Sequence, residues 1–151
     1  MISGTLYNMV EKTTLYLHEI FELIDKASAK KEKVELLKKH DSIALKNILK
    51  GTFDDAIEWN LPDGVPPYTP SESHNAPTNL LKRYDQFKYF VKKGPGANLN
   101  QIKREMMFIR LIESIHPKDA ELVLNMVAKK SPAKGLTKAL VKEVFPSLIS
   151  K

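Results

Sequence analysis

Residues 58–77, EWNLPDGVPPYTPSESHNAP, cannot form a helix, whereas the chain on both sides of them reads as helix. The stretch holds five of the nine prolines: Pro62, Pro66, Pro67, Pro70 and Pro77. Each proline lacks a backbone N–H, and its ring clashes with the preceding helical turn. A helical chain interrupted in this way leaves three options. The stretch is a free linker, a proline-rich ligand for another protein, or a strap packed on the protein's own surface. A free linker should be poor in large apolar groups. This one carries Trp59, the only tryptophan, together with Leu61, Val65 and Tyr68. Burying side chains of that size is worth about 1.5–3 kcal/mol each. The expectation is therefore an ordered strap over 59–77, in part polyproline II, turning at Asp63-Gly64. Trp59 and Tyr68 should pack on the helices, with SESHNA, residues 71–76, as the mobile end.

Ahead of the strap, residues 4–28 predict a long amphipathic helix. Leu6, Val10, Leu17, Ile20, Phe21 and Ile24 recur at spacings of three, four and seven. Thr13 and Thr14 weaken its middle. Residues 27–40 carry a thin apolar stripe, Val34 with Leu36 and Leu37, on a Lys- and Glu-rich helix. In DSIALKNILKG, Asp41 or Ser42 is placed to cap, Ala44, Leu45, Ile48 and Leu49 give helical spacing, and Gly51 is placed to end the helix left-handed. Behind the strap, 77–94 predicts a helix begun by Pro77 and stopped by Gly94 and Pro95, with an aromatic core stripe over Tyr84, Phe87 and Phe90. Residues 98–116 predict a core helix buried through Ile102, Met106, Ile109, Leu111, Ile112 and Ile115. Pro117 should start the next helix and Thr137 cap the last. No run alternates with period two. The fold class is all-α: six or seven helices in one compact, bundle-like domain over 1–151, with residues 1–40 a candidate protruding or dimerising arm.

The chemistry on offer is sparse. There are no cysteines, and no two of His18, His40, His74 and His116 lie three to five residues apart. His18 reads as a polar-face histidine, and His116 as a residue at the helix boundary before Pro117. Asp54, Asp55 and Glu58 could hold a divalent cation, although a solvated helix end explains them more simply. KKGPGAN, 92–98, could offer backbone N–H groups to a phosphate, although a short connection between helices suffices. No nucleotide-binding, nucleophile-elbow or metalloprotease motif occurs. The expectation is a protein that is not an enzyme, with no catalytic residue, metal or cofactor.

Charge is the more informative feature. The chain carries +6 overall, but residues 1–79 hold nine lysines against twelve acids, and residues 80–151 hold fifteen Lys and Arg against six acids. Lys129, Lys130, Lys134, Lys138 and Lys142 cluster about a turn and along the helix after it, with Lys92 and Lys93 in a second basic pair. If the last helix began early, Lys134, Lys138 and Lys142 would share one face. The layout is that of a helix-turn-helix. Lysines supply mainly sequence-independent attraction to phosphate, and no arginine stands there to read guanine edges. An ordinary helical hairpin with a solvated exterior is the structural alternative.

ALKNILKGTFDDAIEWNLPDGVPPYTP, QFKYFVKKGP, QIKREMMFIRLIESIHPKDAELVL and GLTKALVKEVFPSLI together resemble a small family of T4-like myoviruses that infect marine bacteria, including cyanophages. The resemblance covers residues 40–149. It brings no catalytic or binding residues with it. It implies a viral protein made in the host bacterial cytoplasm, with a raised prior for replication, transcription, packaging or host takeover. In that setting a proline-rich ligand for eukaryotic SH3-like readers is out of place, which favours the strap. No apolar run approaches the ~18 residues that span a bilayer, and the N-terminus lacks the pattern of a signal peptide.

Two functions follow as expectations. One is an accessory protein binding nucleic-acid backbone, non-specifically, through the seven lysines named. The other is an adaptor docking on an acidic protein partner such as a polymerase, using the aromatic stripe of 84–91 or the first helix. A minor virion component is a third. The long amphipathic helices also suit a homodimer.

Overall fold

The computed structural model describes residues 15–150. Among them are seven α-helices, two 3₁₀ segments and no sheet, so the chain is all-α, as its periodicity indicates. None of the described helices is long and apolar enough to cross a membrane.

Helix α1 spans Leu17–Lys26 and buries Leu17, Ile20, Phe21 and Ile24. Tyr16 before it is extended, and its amide donates to the Glu19 carboxylate at 2.9 Å. No helix therefore runs unbroken from 4 to 28; residues 4–14 of that expectation lie outside the described residues. Helix α2, Lys30–Lys39, buries Leu37 and also Lys33, whose Nζ donates to the Ile24 carbonyl at 2.7 Å. A lysine stem thus covers apolar surface while its ammonium satisfies a carbonyl in the last turn of α1. Over the described part of 1–40, the candidate arm lies on the core and does not protrude: Leu17, Phe21, Ile24 and Leu37 are inaccessible or nearly so.

Helix α3, Ile43–Phe53, is capped by Ser42, whose Oγ accepts from the Leu45 amide at 3.1 Å. Gly51 does not end it. The helix runs two residues further, and Gly51 is where the flank of α3 is approached most closely: a Cβ there would stand 2.6 Å from Met126 Sδ and 2.7 Å from Trp59 Cζ2. The glycine is required for packing and not for a left-handed backbone.

The strap leaves α3 and returns along the helix Gln101–Ser114. Trp59, Leu61 and Tyr68 are half-buried against the core, while Val65 is exposed. Gly64 takes φ +87°, the left-handed bend expected of Asp63-Gly64. Further along, the Thr69 amide donates to Glu113 Oε2 at 2.7 Å, Ser71 Oγ to the Glu113 carbonyl, and the Thr78 amide to the Ser114 carbonyl at 2.9 Å. Within 71–76, Ser71 is so anchored, and the Asn75 amide closes a turn onto the Glu72 carbonyl at 3.0 Å.

The expected helix over 77–94 is replaced by a single α turn, α4, Leu80–Arg83, capped by Asn79, and a 3₁₀ segment, Tyr84–Phe90. The aromatic spacing explains the change. Tyr84, Phe87 and Phe90 are three apart, which aligns them on one edge of a three-residue turn, and Phe87 and Phe90 are buried. Phe87 and Phe90 of the apolar stripe are core. Val91 then forms an antiparallel bridge with Trp59, closed by Asn60 N to Phe90 O at 2.6 Å and Lys92 N to Glu58 O at 2.9 Å. The second 3₁₀ segment spans Pro95–Asn98.

Helix α5, Gln101–Ser114, buries Arg104, Phe108, Leu111 and Ile112. Ile102 and Met106, expected inside, are 69% and 48% exposed. Arg104 takes the inward position because its guanidinium donates to the carbonyls of Asn60, Leu99 and Gly96 at 2.8, 3.0 and 3.5 Å. Helix α6, Pro117–Val127, starts at the proline as expected and packs against α1, α3 and α5, which makes it the hub of the core. Helix α7, Lys138–Val144, is capped by Thr137 and packs on α2.

Candidate nucleic-acid interface

The seven lysines differ in what their ammonium groups meet. Lys129 has a left-handed backbone, φ +60°, two residues past the end of α6. Its Nζ turns back onto the carbonyls of Gly51 and Asp54, both at 2.9 Å. Burial, and the ammonium of Lys138, push its pKa down against the pull of Asp54 and Asp55. Lys138 Nζ pairs with the exposed carboxylate of Asp55 at 2.6 Å. That hydrogen bond holds the Asp55 carboxyl below its ordinary range. These two lysines therefore bind the latter half of the chain to the end of α3.

Lys134 precedes the Thr137 cap, so it does not share a helix face with Lys138 and Lys142. Its amide donates to Asp25 Oδ1 at 2.8 Å, beside α1. The helix after the turn is only seven residues long. Lys130, Lys134 and Lys142 are exposed and have no carboxylate partner among the described residues.

Asp54 and Asp55 do not build a cation site. Asp54 is buried. It accepts from Lys50 Nζ at 2.7 Å, the Ala56 amide at 2.9 Å and the Ser150 amide at 3.1 Å. Burial alone would raise its pKa, but these donors outweigh it and hold the carboxyl well below the usual carboxylate range. Among the described residues no group of three or more His, Asp or Glu is placed to hold a metal. KKGPGAN is likewise no phosphate cradle. The amides of Gly94, Ala97 and Leu99 are spent on the carbonyls of Val91, Gly94 and Gly96.

Lys92 and Lys93 follow the bridge between Trp59 and Val91 in a turn closed by the Gly94 amide on the Val91 carbonyl at 3.2 Å. Ile57, Trp59, Val91 and Lys93 face an open groove of about 360 Å³, whereas Glu58 and Lys92 do not line it. Trp59, Phe87 and Val91 give the groove an apolar lining, and Lys50, Lys88 and Lys93 give it charge. The indole is fixed by its Nε1, which donates to the Gly51 carbonyl at 3.1 Å, and by an edge-on contact with Phe87 at 6.4 Å and 86°. The charge of Lys50 is met by Asp54. Lys88 and Lys93 have no carboxylate partner among the described residues, and Lys88 Nζ lies 5.4 Å from the Tyr89 ring centre.

Sequence reasoning found Lys93 but missed Lys88 and the aromatic lining. The signal was present in KYFVKKG, three lysines in six residues around two aromatics. It was hidden because the groove needs Trp59, 28 or more residues away.

A second cluster joins residues about a hundred positions apart. The His18 amide donates to Asp119 Oδ1 at 3.0 Å, and the His18 Nδ1 lies 2.7 Å from the same oxygen. The rings of Tyr16, His18 and His116 gather with centroids 4.4–5.3 Å apart. His116 Nδ1 accepts from the Lys118 amide at 3.0 Å and so caps α6. Burial first, then His18, push the His116 pKa down. All four residues, Tyr16, His18, His116 and Asp119, lie at helix starts, and the cluster fastens α1 to α6.

No curated protein matches the chain. The model of one family matches residues 20–132. The match begins inside α1 and ends in the turn after α6. It includes all the groove residues and leaves out α7 with Lys134, Lys138 and Lys142. On that match the chain belongs to a family of unknown function, DUF6433.

Proposed function

We propose that the protein acts by binding, and that its ligand is nucleic acid held non-specifically through the phosphate backbone at the groove beside Trp59. The observation that carries this reading is the placement of Lys88 and Lys93. Neither has a carboxylate partner among the described residues, and both line an open groove with an aromatic wall. Lys129 and Lys138 are withdrawn from the binding set, because the ammonium of Lys129 is held by two carbonyls and that of Lys138 is paired with Asp55 at the surface. Lys92, Lys130, Lys134 and Lys142 contribute at most to the general field. The likeness to proteins of T4-like phages supports a setting in an infected bacterial cytoplasm.

The test is binding to a labelled oligonucleotide across a salt series. Affinity should fall steeply with salt. The double variant Lys88→Gln/Lys93→Gln should flatten the slope of log K against log salt by about 1.4–1.8, the release expected from two phosphate contacts. Absence of binding at low salt ends this reading.

An adaptor for an acidic protein partner has one observation of its own. Ile102 and Met106 stand exposed one turn apart on α5. A single stoichiometric protein recovered from nuclease-treated infected cells would favour it.

A further inference from the structure

We infer that the groove takes a single strand, with one base laid against Trp59. The inference rests on the reading above and adds the form of the ligand. Three features point to it.

The first is the wall. Trp59 is neither a core residue nor a free surface one. It is half-buried, its Nε1 is satisfied within the protein at 3.1 Å, and Phe87 supports it edge-on. A ring held in one orientation loses little freedom when a second ring stacks on it. The second is the space. At about 360 Å³ the groove falls in the ~300–1,000 Å³ range of small-ligand sites and is open to solvent along one side. The third is the charge. Lys88 and Lys93 flank the aromatic wall, the arrangement in which a backbone is followed by cations while a base finds a π surface. In a duplex the base faces are covered by their neighbours, so only a strand with unstacked bases can use the wall. No arginine lines the groove to read a base edge, so little preference among bases is expected.

Trp59 is the only tryptophan, so its fluorescence reports on the groove alone. The wild-type protein is titrated at low salt with a thymidine dodecamer, with a twelve-base-pair duplex, and with a dodecamer of abasic residues that keeps the phosphates. The thymidine strand should quench Trp59 and bind about 10-fold or more tightly than the abasic strand, in line with the worth of one stacked base. The abasic strand and the duplex should bind with little quenching. Equal affinity for thymidine and abasic strands, or thymidine binding without quenching, overturns the inference but leaves the backbone reading intact. Failure of all three to bind overturns both. The comparison needs no variant, so it does not depend on Trp59 being replaceable.

Discussion

Trp59 and Lys129 share one acceptor. The indole Nε1 and the lysine Nζ both donate to the carbonyl of Gly51, at 3.1 and 2.9 Å, from opposite halves of the chain. Lys129 also takes the Asp54 carbonyl at 2.9 Å. The end of α3 is thereby fastened to the strap and to the turn after α6 through the carbonyls of Gly51 and Asp54, the latter also accepting from the Ile57 amide at 3.0 Å.

Lys129→Gln should therefore act on stability and not on nucleic-acid affinity. Losing two charge-assisted bonds at a partly exposed site should cost about 1–2 kcal/mol. Lys130→Gln, next to it and exposed, should stay within about 0.5 kcal/mol of wild type. Urea unfolding of the two variants checks this. Equal stability would show that the Lys129 bonds do not form in solution.

Much of the fold was legible because its signals are local. Ser42, Asn100, His116 and Thr137 each stand before an apolar-periodic run and each caps a helix. Pro117 begins α6 for the reason its fixed φ suggests. What could not be read was set by residues distant in sequence. The periodicity of α5 counts Ile102 and Met106 as core, whereas the inward place goes to Arg104, because three carbonyls from 60–99 converge on it. Gly51 looks like a helix end until Met126 and Trp59 press on it. The pairing of two of the clustered lysines was hidden for the same reason. Charge counted along the chain does not reveal that Lys138 meets Asp55, 83 residues earlier. The groove was half legible: Trp59 marked the strap as packed, but nothing local told which 3₁₀ segment it packs on.

Asp54 should give the protein an acid limit. Its carboxyl is held below the ordinary value by Lys50 and two amides, so its contribution is complete above about pH 4 and is lost as pH falls below that. Asp54→Asn should cost about 1–3 kcal/mol at pH 7, because it weakens the seat for Lys50 and the Ser150 amide. The gap between wild type and variant in thermal unfolding should narrow from pH 7 to pH 3. A gap that stays constant would mean the carboxylate is not the source.

Arg104 should tolerate no replacement. Its side chain is buried, and it has no carboxylate partner among the described residues. It is held instead by the carbonyls of Asn60, Gly96 and Leu99. Arg104→Met removes the guanidinium donor from the carbonyls of Asn60 and Leu99, while Gly96 keeps the Leu99 amide, and Arg104→Lys supplies a point charge where a planar fork is needed. Each should lose about 2–4 kcal/mol. Because Asn60 lies beside the bridge, both should also shift the emission of Trp59. A change in stability with unaltered emission would separate the clamp from the groove.

The histidine cluster predicts a second pH effect, at milder acidity. His116 caps α6 through the lone pair of Nδ1, which exists only in the neutral ring. Its neighbours are His18, Asp119, Lys118 and Glu19. Burial and His18 push its pKa down, and Asp119 and Glu19 oppose them. A histidine whose folded pKa lies below the unfolded value of about 6.5 contributes fully above that pH and less as pH falls through it. Wild type should therefore lose stability between pH 7.5 and pH 5. His116→Asn keeps an N-cap acceptor that does not titrate. It should lose less over the same interval. The other histidines are common to both proteins, so thermal unfolding of the pair isolates His116, and an identical loss in both would remove the cap from the explanation.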